Sequence, residues 1–548
     1  MRTVSSQDGS WPIAVWWGSA AVVAALAATR LVIQLHAVFA PTEWVVTSLT
    51  NDDTYYYLQT AWNHAHSGQP TFDGIHRTNG VQFLWYWWSV VLAYLSPNRE
   101  ALLLLSLVSC AALNALCFVF LWRIAGFTGQ PALALVASLA WFQASGLVYL
   151  SGMENSLHAL LLLWLVDAII RVLARPGAEK DIGRQVTGVA ILCTLVVWTR
   201  LDSAIVGVPL FLLLLFRLPV RNIATLGPAV LTALLGATIM FGGYAWMAGT
   251  AIPVSGLAKT TGYRIDSATV VDLFSTTLPL ADPFAGYGAS FVTVLLGIVC
   301  FATLGRSMAP GIGGLPVAVC RQVLAVFLIA GTIYLVFLSG LWDSDYSVWC
   351  RSPAILSMTL AGAAGIEVIA RALRGRNPGK RGALVAMTAL GMLAAAGLFG
   401  SSRIARAEWQ GTRIQSDSQQ ALRYQTARWI RQNLPSDVIL AADNTGVLAY
   451  FSERRSINLD GLINSPDYVR TVLGRNEQGR GERIIAYLEN ERVDYLVDID
   501  MPNWASVRWP RAEFTPQLPR ALRTLEAAGV SSIASLEVLA LKPVERGQ

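Results

Sequence analysis

The sequence predicts an α-helical polytopic membrane protein of about eleven spanning helices, followed by a C-terminal α/β domain on the outer side. Three observations lead there. Apolar residues gather into runs of roughly 17 to 25, the length a hydrocarbon core of ~30 Å demands of a helix. Of the 548 residues, 54% are hydrophobic and only 14% charged, and the mean hydropathy is +0.48, values of the membrane class. After about Ser401 the long runs stop, and amphipathic and short β-like stretches with ordinary charge density replace them. The net charge of +6 does not signal nucleic acid, because Arg and Lys fall mostly in short loops beside apolar runs, where cytoplasmic anchoring accounts for them.

The first run, from 11 to about 35, is too long for a signal-peptide core and no small-residue cleavage site follows it, so it reads as a retained helix. Further runs cover 101–122, 131–150, 157–170, 186–198, 204–216, 223–247, 291–304, 323–341, 353–369 and 383–399, with a shorter one at 81–95. Two basic loops set the orientation: Arg171, Arg175, Lys180 and Arg184 form one, and Arg371, Arg374, Arg376, Lys380 and Arg381 the other. Both belong on the cytoplasmic side, with the N-terminus, which leaves the segments around Glu154, Arg200, Lys259 and Trp349 and the whole tail outside. Counting every run as a span breaks that parity, so one run does not cross. The candidate is 81–95, short and rich in Trp (Trp85, Trp87, Trp88), which suits the membrane interface. The six cysteines sit in apolar runs or at their ends without metal-ligand spacing and read as small packing residues. The chain thus divides at about 400 into a membrane domain (1–400, with a first outer loop at 39–80) and a soluble domain (401–548). In the latter the pattern gives helices at 419–433, 481–490 and 519–528 and strands at 438–442, 455–459, 495–499 and 535–541.

The first outer loop, about 45 residues long, reads Asn51-Asp52-Asp53-Thr54-Tyr55-Tyr56-Tyr57-Leu58 and then Arg77-Thr78-Asn79-Gly80. Two adjacent carboxylates open an amphipathic stretch, where they gain from the positive end of a helix. Capping uses one side chain. The second needs another reason, such as accepting a proton or holding a divalent cation. Elsewhere outside, Glu154 either interacts with a helix N-terminus or faces a substrate, and Arg200 and Asp202 either pair with each other or serve the substrate. Asp343 and Asp345 form an acidic-aromatic loop with Trp342, Tyr346 and Trp349. His64, His66 and His76 do not share a helix face, so no metal site is drawn from them. Arg30, deep in the first run, either faces protein or snorkels outward.

These residues resemble the polyprenyl-phosphate-sugar-dependent glycosyltransferases of the membrane-embedded C-type (GT-C) fold, particularly the arabinosyl- and mannosyltransferase-like branch. The resemblance rests on the Asp52–Leu58 run, Thr78–Trp85, Ser151–Asn155, Trp198–Asp202, Pro253–Lys259, and in the tail Ala442–Gly446 and Leu459–Leu462. It departs from that pattern at Phe83, where Pro is expected before Leu-Trp. The resemblance implies an inverting transferase that takes a sugar from a polyprenyl-phosphate-linked donor to an acceptor hydroxyl on the outer membrane face. Asp52 would be the base, with Asp53 orienting it or holding a divalent cation. The leaving phosphate needs fixed cations, for which Lys259, Arg264, Arg200 and Arg351 are candidates, and Glu154, Tyr56, Arg77 and Asn79 are candidate substrate contacts. No cofactor is required. The partners would be the bilayer, the lipid-linked donor and a polysaccharide, glycolipid or protein acceptor, in the cell (inner) membrane.

Two other classes fit parts of the pattern. A transporter or flippase of lipid-linked saccharides would show inverted repeats and ionisable residues at the midplane, whereas here no repeat is visible and the acidic pair lies in an outer loop. A noncatalytic polysaccharide-binding protein would need either Asp only for affinity.

Overall fold

The computed structural model describes residues 13–145, 150–174, 179–218, 223–260, 314–340, 348–376, 418–474 and 479–499, strands at 515–516 and 536–540, and scattered positions at 265, 269, 398 and within 401–410. Arg264, Asp343 and Asp345, the runs at 291–304 and most of 383–399, and the expected helix at 519–528 lie outside the described residues.

The membrane half is a helix bundle. Its helices are α1 (Ile13–Val38), α2 (Thr42–Ser48), α3 (Asp52–Ser67), α4 (Phe83–Leu95), α5 (Arg99–Thr128), α6 (Pro131–Ala144), α7 (Asn155–Ala174), α8 (Glu179–Thr199), α9 (Ala204–Arg217), α10 (Ile223–Ala248), α11 (Val254–Lys259), α12 (Gly314–Ser339) and α13 (Ser352–Arg376). Among the described residues six helices are long and apolar enough to cross a membrane: α1, α5, α7, α8, α10 and α12. The shorter α6 runs antiparallel to α13: its first turn receives Glu367 on the Ala132 N–H (3.1 Å), and its last turn offers the Phe142 carbonyl to Arg30. Close helix approach relies on small residues. A Cβ at Gly236 of α10 would lie 2.3 Å from the Thr194 methyl of α8, and there Trp198 donates to the Gly236 carbonyl at 2.9 Å.

Helix α4 begins and ends at the same end of the bundle. Phe83 packs on Trp198 and Tyr244 there, and Arg99, just past its end, reaches Tyr450 of the tail. It therefore lies across the bundle rather than through it. Its tryptophans are not all interfacial, however: Trp85 is fully buried and donates to the Gly152 carbonyl at 3.0 Å, because the loop before α7 folds back over it. Phe83, where Pro was expected, opens α4 and seats its ring against Gly243, which has no side chain to obstruct it.

Arg30 faces protein. It is fully buried, pairs with Glu408 and the Phe142 carbonyl, and lies 4.2 Å from the centre of the Phe142 ring. With His36 stacked on Trp409, it ties the segment around 408 to α1, so the bundle extends past 400. A buried guanidinium is tolerable only when compensated in this way.

The C-terminal domain contains α14 (Ser418–Asn433), β1 (Ile439–Ala442), α15 (Gly446–Ser452), β2 (Arg455–Asn458), α16 (Arg480–Asn490), β3 (Tyr495–Ile499), β4 (Thr515–Pro516) and β5 (Leu536–Ala540). Its sheet order is β2-β1-β3-β5-β4, parallel across the first three strands and antiparallel beyond. The two-residue β4 is too short to leave an alternating pattern in sequence. The domain sits on α2 and α3. Tyr55 is fully buried against Tyr450 and Phe451, and burying such a ring contributes about 1.5–3 kcal/mol.

Candidate active site

Asn51 caps α3. Its side-chain oxygen accepts the Thr54 N–H at 3.0 Å, and the Thr54 hydroxyl reaches back to the Asn51 N–H. Neither aspartate therefore serves as the cap, which corrects the expectation that one of the pair would. Asp53 is half-buried. Asp52 is buried, at 6% exposure, and its carboxylate reaches into the C-terminal domain, accepting the Gly446 N–H at 2.7 Å and the Val447 N–H at 2.9 Å. These are the first N–H groups of α15, which its own turn leaves without partners, and an anion there is doubly favoured by charge-assisted hydrogen bonds and by the helix end. The approach requires glycine at 446, because a Cβ would lie 2.1 Å from the Asp52 carbonyl oxygen. The Asp443–Gly446 turn, a weak pointer in the sequence, thus meets the acidic pair directly.

One turn further along α3, Tyr56 donates its hydroxyl to Asp460 at 2.8 Å and accepts from Asn458 at 3.1 Å. The Asn458 amide nitrogen also faces the Asp443 carbonyl and the Thr445 hydroxyl, its two protons shared among three acceptors, so the turn holding Asp52 and the loop holding Asp460 share one amide. The Leu462 N–H donates to the other Asp460 oxygen at 2.7 Å. Burial pushes the Asp460 carboxyl up to about 7, against the pull of these hydrogen bonds. Burial likewise raises Asp443, countered by Arg480 and Arg423. Asp460 was quoted in the sequence only as part of Leu459–Leu462. Its role was not visible there, because its partner lies 404 residues away.

The Arg77–Gly80 stretch joins three parts of the molecule. Thr78 donates to the Asn464 carbonyl at 2.9 Å, and Gly80 meets the Leu462 carbonyl so closely that a Cβ would lie 2.0 Å from it. Arg77 donates to the Met247 and Trp246 carbonyls and lies over the Trp246 ring. Asn79 is fully buried; its oxygen accepts the Val254 N–H at 2.9 Å and its amide donates to the Thr250 carbonyl at 2.8 Å. The substrate-contact reading of Asn79 is thereby corrected. Its polar atoms are committed to the start of α11, and it acts by fixing the short helix whose last residue is the half-buried Lys259.

Beneath these residues, at the same end of the bundle, lies an ionic cluster. Arg200 donates to Glu154 (2.9 Å) and Asp202 (2.9 Å), and the single Tyr334 hydroxyl proton is shared between Asp202 and the Cys350 carbonyl, each 2.9 Å away. Arg200 and Glu154 are buried, as is Arg351 next to Cys350. Two carboxylates saturate Arg200, so the pairing reading of Arg200 and Asp202 is the geometry observed, with Glu154 as a third member that sequence spacing did not join to them. On the far side of the interface His76 contacts Asp73 (2.7 Å) and Glu491 (3.3 Å), and the Asp73 hydrogen bond raises its pKa. Of the other histidines, His64 bonds the Tyr86 hydroxyl and His66 the Trp62 carbonyl. Among the described residues no three His, Cys, Asp or Glu side chains converge as metal ligands.

A family described as a domain of unknown function, DUF8728, matches residues 408–535, which corresponds to the C-terminal domain. No curated protein matches the sequence. Solved structures do match along most of the chain. ArnT from Cupriavidus metallidurans in the apo state superposes with a TM-score of 0.57 at 12% identity, over 96% of this chain and 98% of that one. The same protein bound to undecaprenyl phosphate gives 0.52 at 14%, over 94% and 97%. The Archaeoglobus fulgidus oligosaccharyltransferase in complex with Zn and sulfate gives 0.53 at 12%, over 87% and 68%. The chain has the C-type glycosyltransferase fold, and it is an integral membrane protein.

Proposed function

We propose that the protein is an inverting glycosyltransferase that moves a sugar from a polyprenyl-phosphate-linked donor to an acceptor hydroxyl on the outer face of the cell (inner) membrane. The fold supports this reading, since one solved neighbour is named as bound to undecaprenyl phosphate and another as an oligosaccharyltransferase. The observation that carries it is Asp52, a carboxylate held rigidly at the outer end of the bundle by two main-chain N–H groups. Each of its oxygens keeps a second lone pair for a substrate hydroxyl, and a fixed orientation is what a positioned base requires.

In this mechanism the acceptor oxygen attacks the anomeric carbon opposite the phosphate and its proton passes to Asp52. The carbon–oxygen bond to phosphate breaks, and polyprenyl phosphate leaves with the electron pair. Lys259, presented by the helix that Asn79 fixes, offsets the charge on the departing phosphate, with Arg264 and Arg351 as further cations. Arg200, already paired with two carboxylates, keeps Glu154 in place instead. Asp53, the next residue of α3, orients Asp52. The N-terminus lies in the cytoplasm and the C-terminal domain outside, as the two basic loops of the sequence require.

The test is sugar transfer in proteoliposomes from a labelled polyprenyl-phosphate sugar. Asp52→Asn is expected to lower turnover by roughly a hundredfold or more, with insertion intact and a stability loss of only about 1–3 kcal/mol from the one main-chain N–H that loses its acceptor. Full turnover in that variant would remove Asp52 as the base, and a freed C-terminal domain, seen by protease cleavage, would assign it to docking alone. Counter-flow of a lipid-linked saccharide without transfer would turn the reading to a transporter.

A further inference from the structure

The C-terminal domain contributes more than a cover to the outer face. Its loop from Asn458 to Asn464 is locked from both sides: Asn458 Oδ1 accepts the Gly461 N–H at 2.9 Å, Asn464 donates to the Asn458 carbonyl, and Thr78 and Gly80 of the first outer loop press on it from the membrane half. The product of this bracing is the position of one carboxylate. Asp460 is only partly buried, one oxygen fixed by Leu462 and the other aimed at Tyr56.

Tyr56 stands one helical turn after Asp52 and Asp53, on the same side of α3 as Asp52. We propose that Asp460 is a positioning residue of the transfer reaction, which, when ionised, holds the Tyr56 hydroxyl and through it the first turn of α3 that presents Asp52 and Asp53. This rests on the transferase reading above.

The hydrogen-bond inventory of Tyr56 gives the reason. Its hydroxyl has one proton, given to Asp460, and one of its lone pairs takes the Asn458 amide proton. If Asp460 is protonated, the oxygen facing Tyr56 becomes a donor, because the other is occupied by the Leu462 N–H. Two donors, Asn458 and the carboxylic acid, then face the Tyr56 oxygen and the phenolic proton loses its acceptor. The groups that bear on this equilibrium are Tyr56, with Asp52 and Asp53 on its helix, Asp443 on the β1–α15 turn, and Tyr468; Arg480 and Arg423 face Asp443. Burial places the change near neutral pH, at about 7. Above that value Tyr56 makes a charge-assisted hydrogen bond to the carboxylate, and below it the bond reverses to a weaker neutral one that leaves the phenolic proton without its acceptor.

The experiment is the pH dependence of kcat and KM for transfer in proteoliposomes, on wild type, Asp460→Asn, Tyr56→Phe and the double variant. Wild type is expected to gain activity as pH rises through about 7. Both single variants should lack that limb, lose about 10- to 100-fold in kcat with donor KM unchanged, and lose no more when combined, because they break the same contact. A limb near 7 that persists in Asp460→Asn overturns the proposal while leaving the transferase reading intact, as do fully additive losses. If Asp460→Asn does not fold, the limb is read in Tyr56→Phe alone, which loses only a hydroxyl, and its persistence there overturns the proposal. Absence of transfer by wild type at every pH overturns the transferase reading and this proposal with it.

Discussion

Two groups of carboxylates meet where the bundle joins the C-terminal domain and are stabilised in different ways. Glu154 and Asp202, inside the bundle, share the guanidinium of Arg200. Asp52 and Asp460, at the junction with the C-terminal domain, are held by main-chain N–H groups and a tyrosine hydroxyl. The first arrangement fixes charge. The second fixes geometry without committing the carboxylates to a cation.

That contrast is open to direct tests. The largest effect on stability is expected from Arg200→Ala, which leaves two carboxylates in the bundle without their cation. A loss of about 3–5 kcal/mol is expected, read as a fall in the detergent melting temperature. A variant as stable as wild type would show that the cluster is not held by this charge. Gly446→Ala strikes the other group, because the new methyl meets the Asp52 backbone. Overpacking of this kind costs about 1–3 kcal/mol, and the C-terminal domain should become easier to cleave while the bundle keeps its melting behaviour. Simultaneous melting of both halves would break the distinction.

The smallest effect is at His76, between Asp73 and Glu491. Its folded pKa is raised, so the clasp is fully present below the ordinary histidine value of about 6.5 and is lost as pH rises through the higher folded value. Docking should weaken by about 0.5–1 kcal/mol over that window. His76→Ala should remove the dependence without touching the limb assigned to Asp460. A docking profile unchanged in His76→Ala would place the titration elsewhere.

Much of the architecture was legible in the sequence because it is written locally. Continuous apolar runs gave the bundle, and a change to period-two and amphipathic stretches gave the α/β tail, with strands at 439–442 and 495–499 close to where the pattern put them. The short run at 81–95 was marked out in the sequence by its Trp content and by the parity of the basic loops. The full burial of Trp85 was not legible there, because burial depends on the loop at Gly152 that folds over it. The acidic pair was legible as a candidate site. The choice of Asn51 as the cap was open to reading too, since Asn is among the best N-caps and Thr54 stands three residues on; the pair of aspartates drew attention away from it.

The sequence by itself determined the class of the protein and where its apolar helices and its α/β tail lie, because hydrophobic length and charge position act within a few turns of the chain. Only the tertiary structure decided which of its polar residues are spent. Asn79 fixes the Lys259 helix, Arg200 is neutralised by Glu154, and Asp52 meets the N–H groups of a helix 394 residues later. Contacts at that separation arise from how packed layers meet in space, and hydrogen-bond donors and carboxylates leave no periodicity from which the pairing could be read in advance.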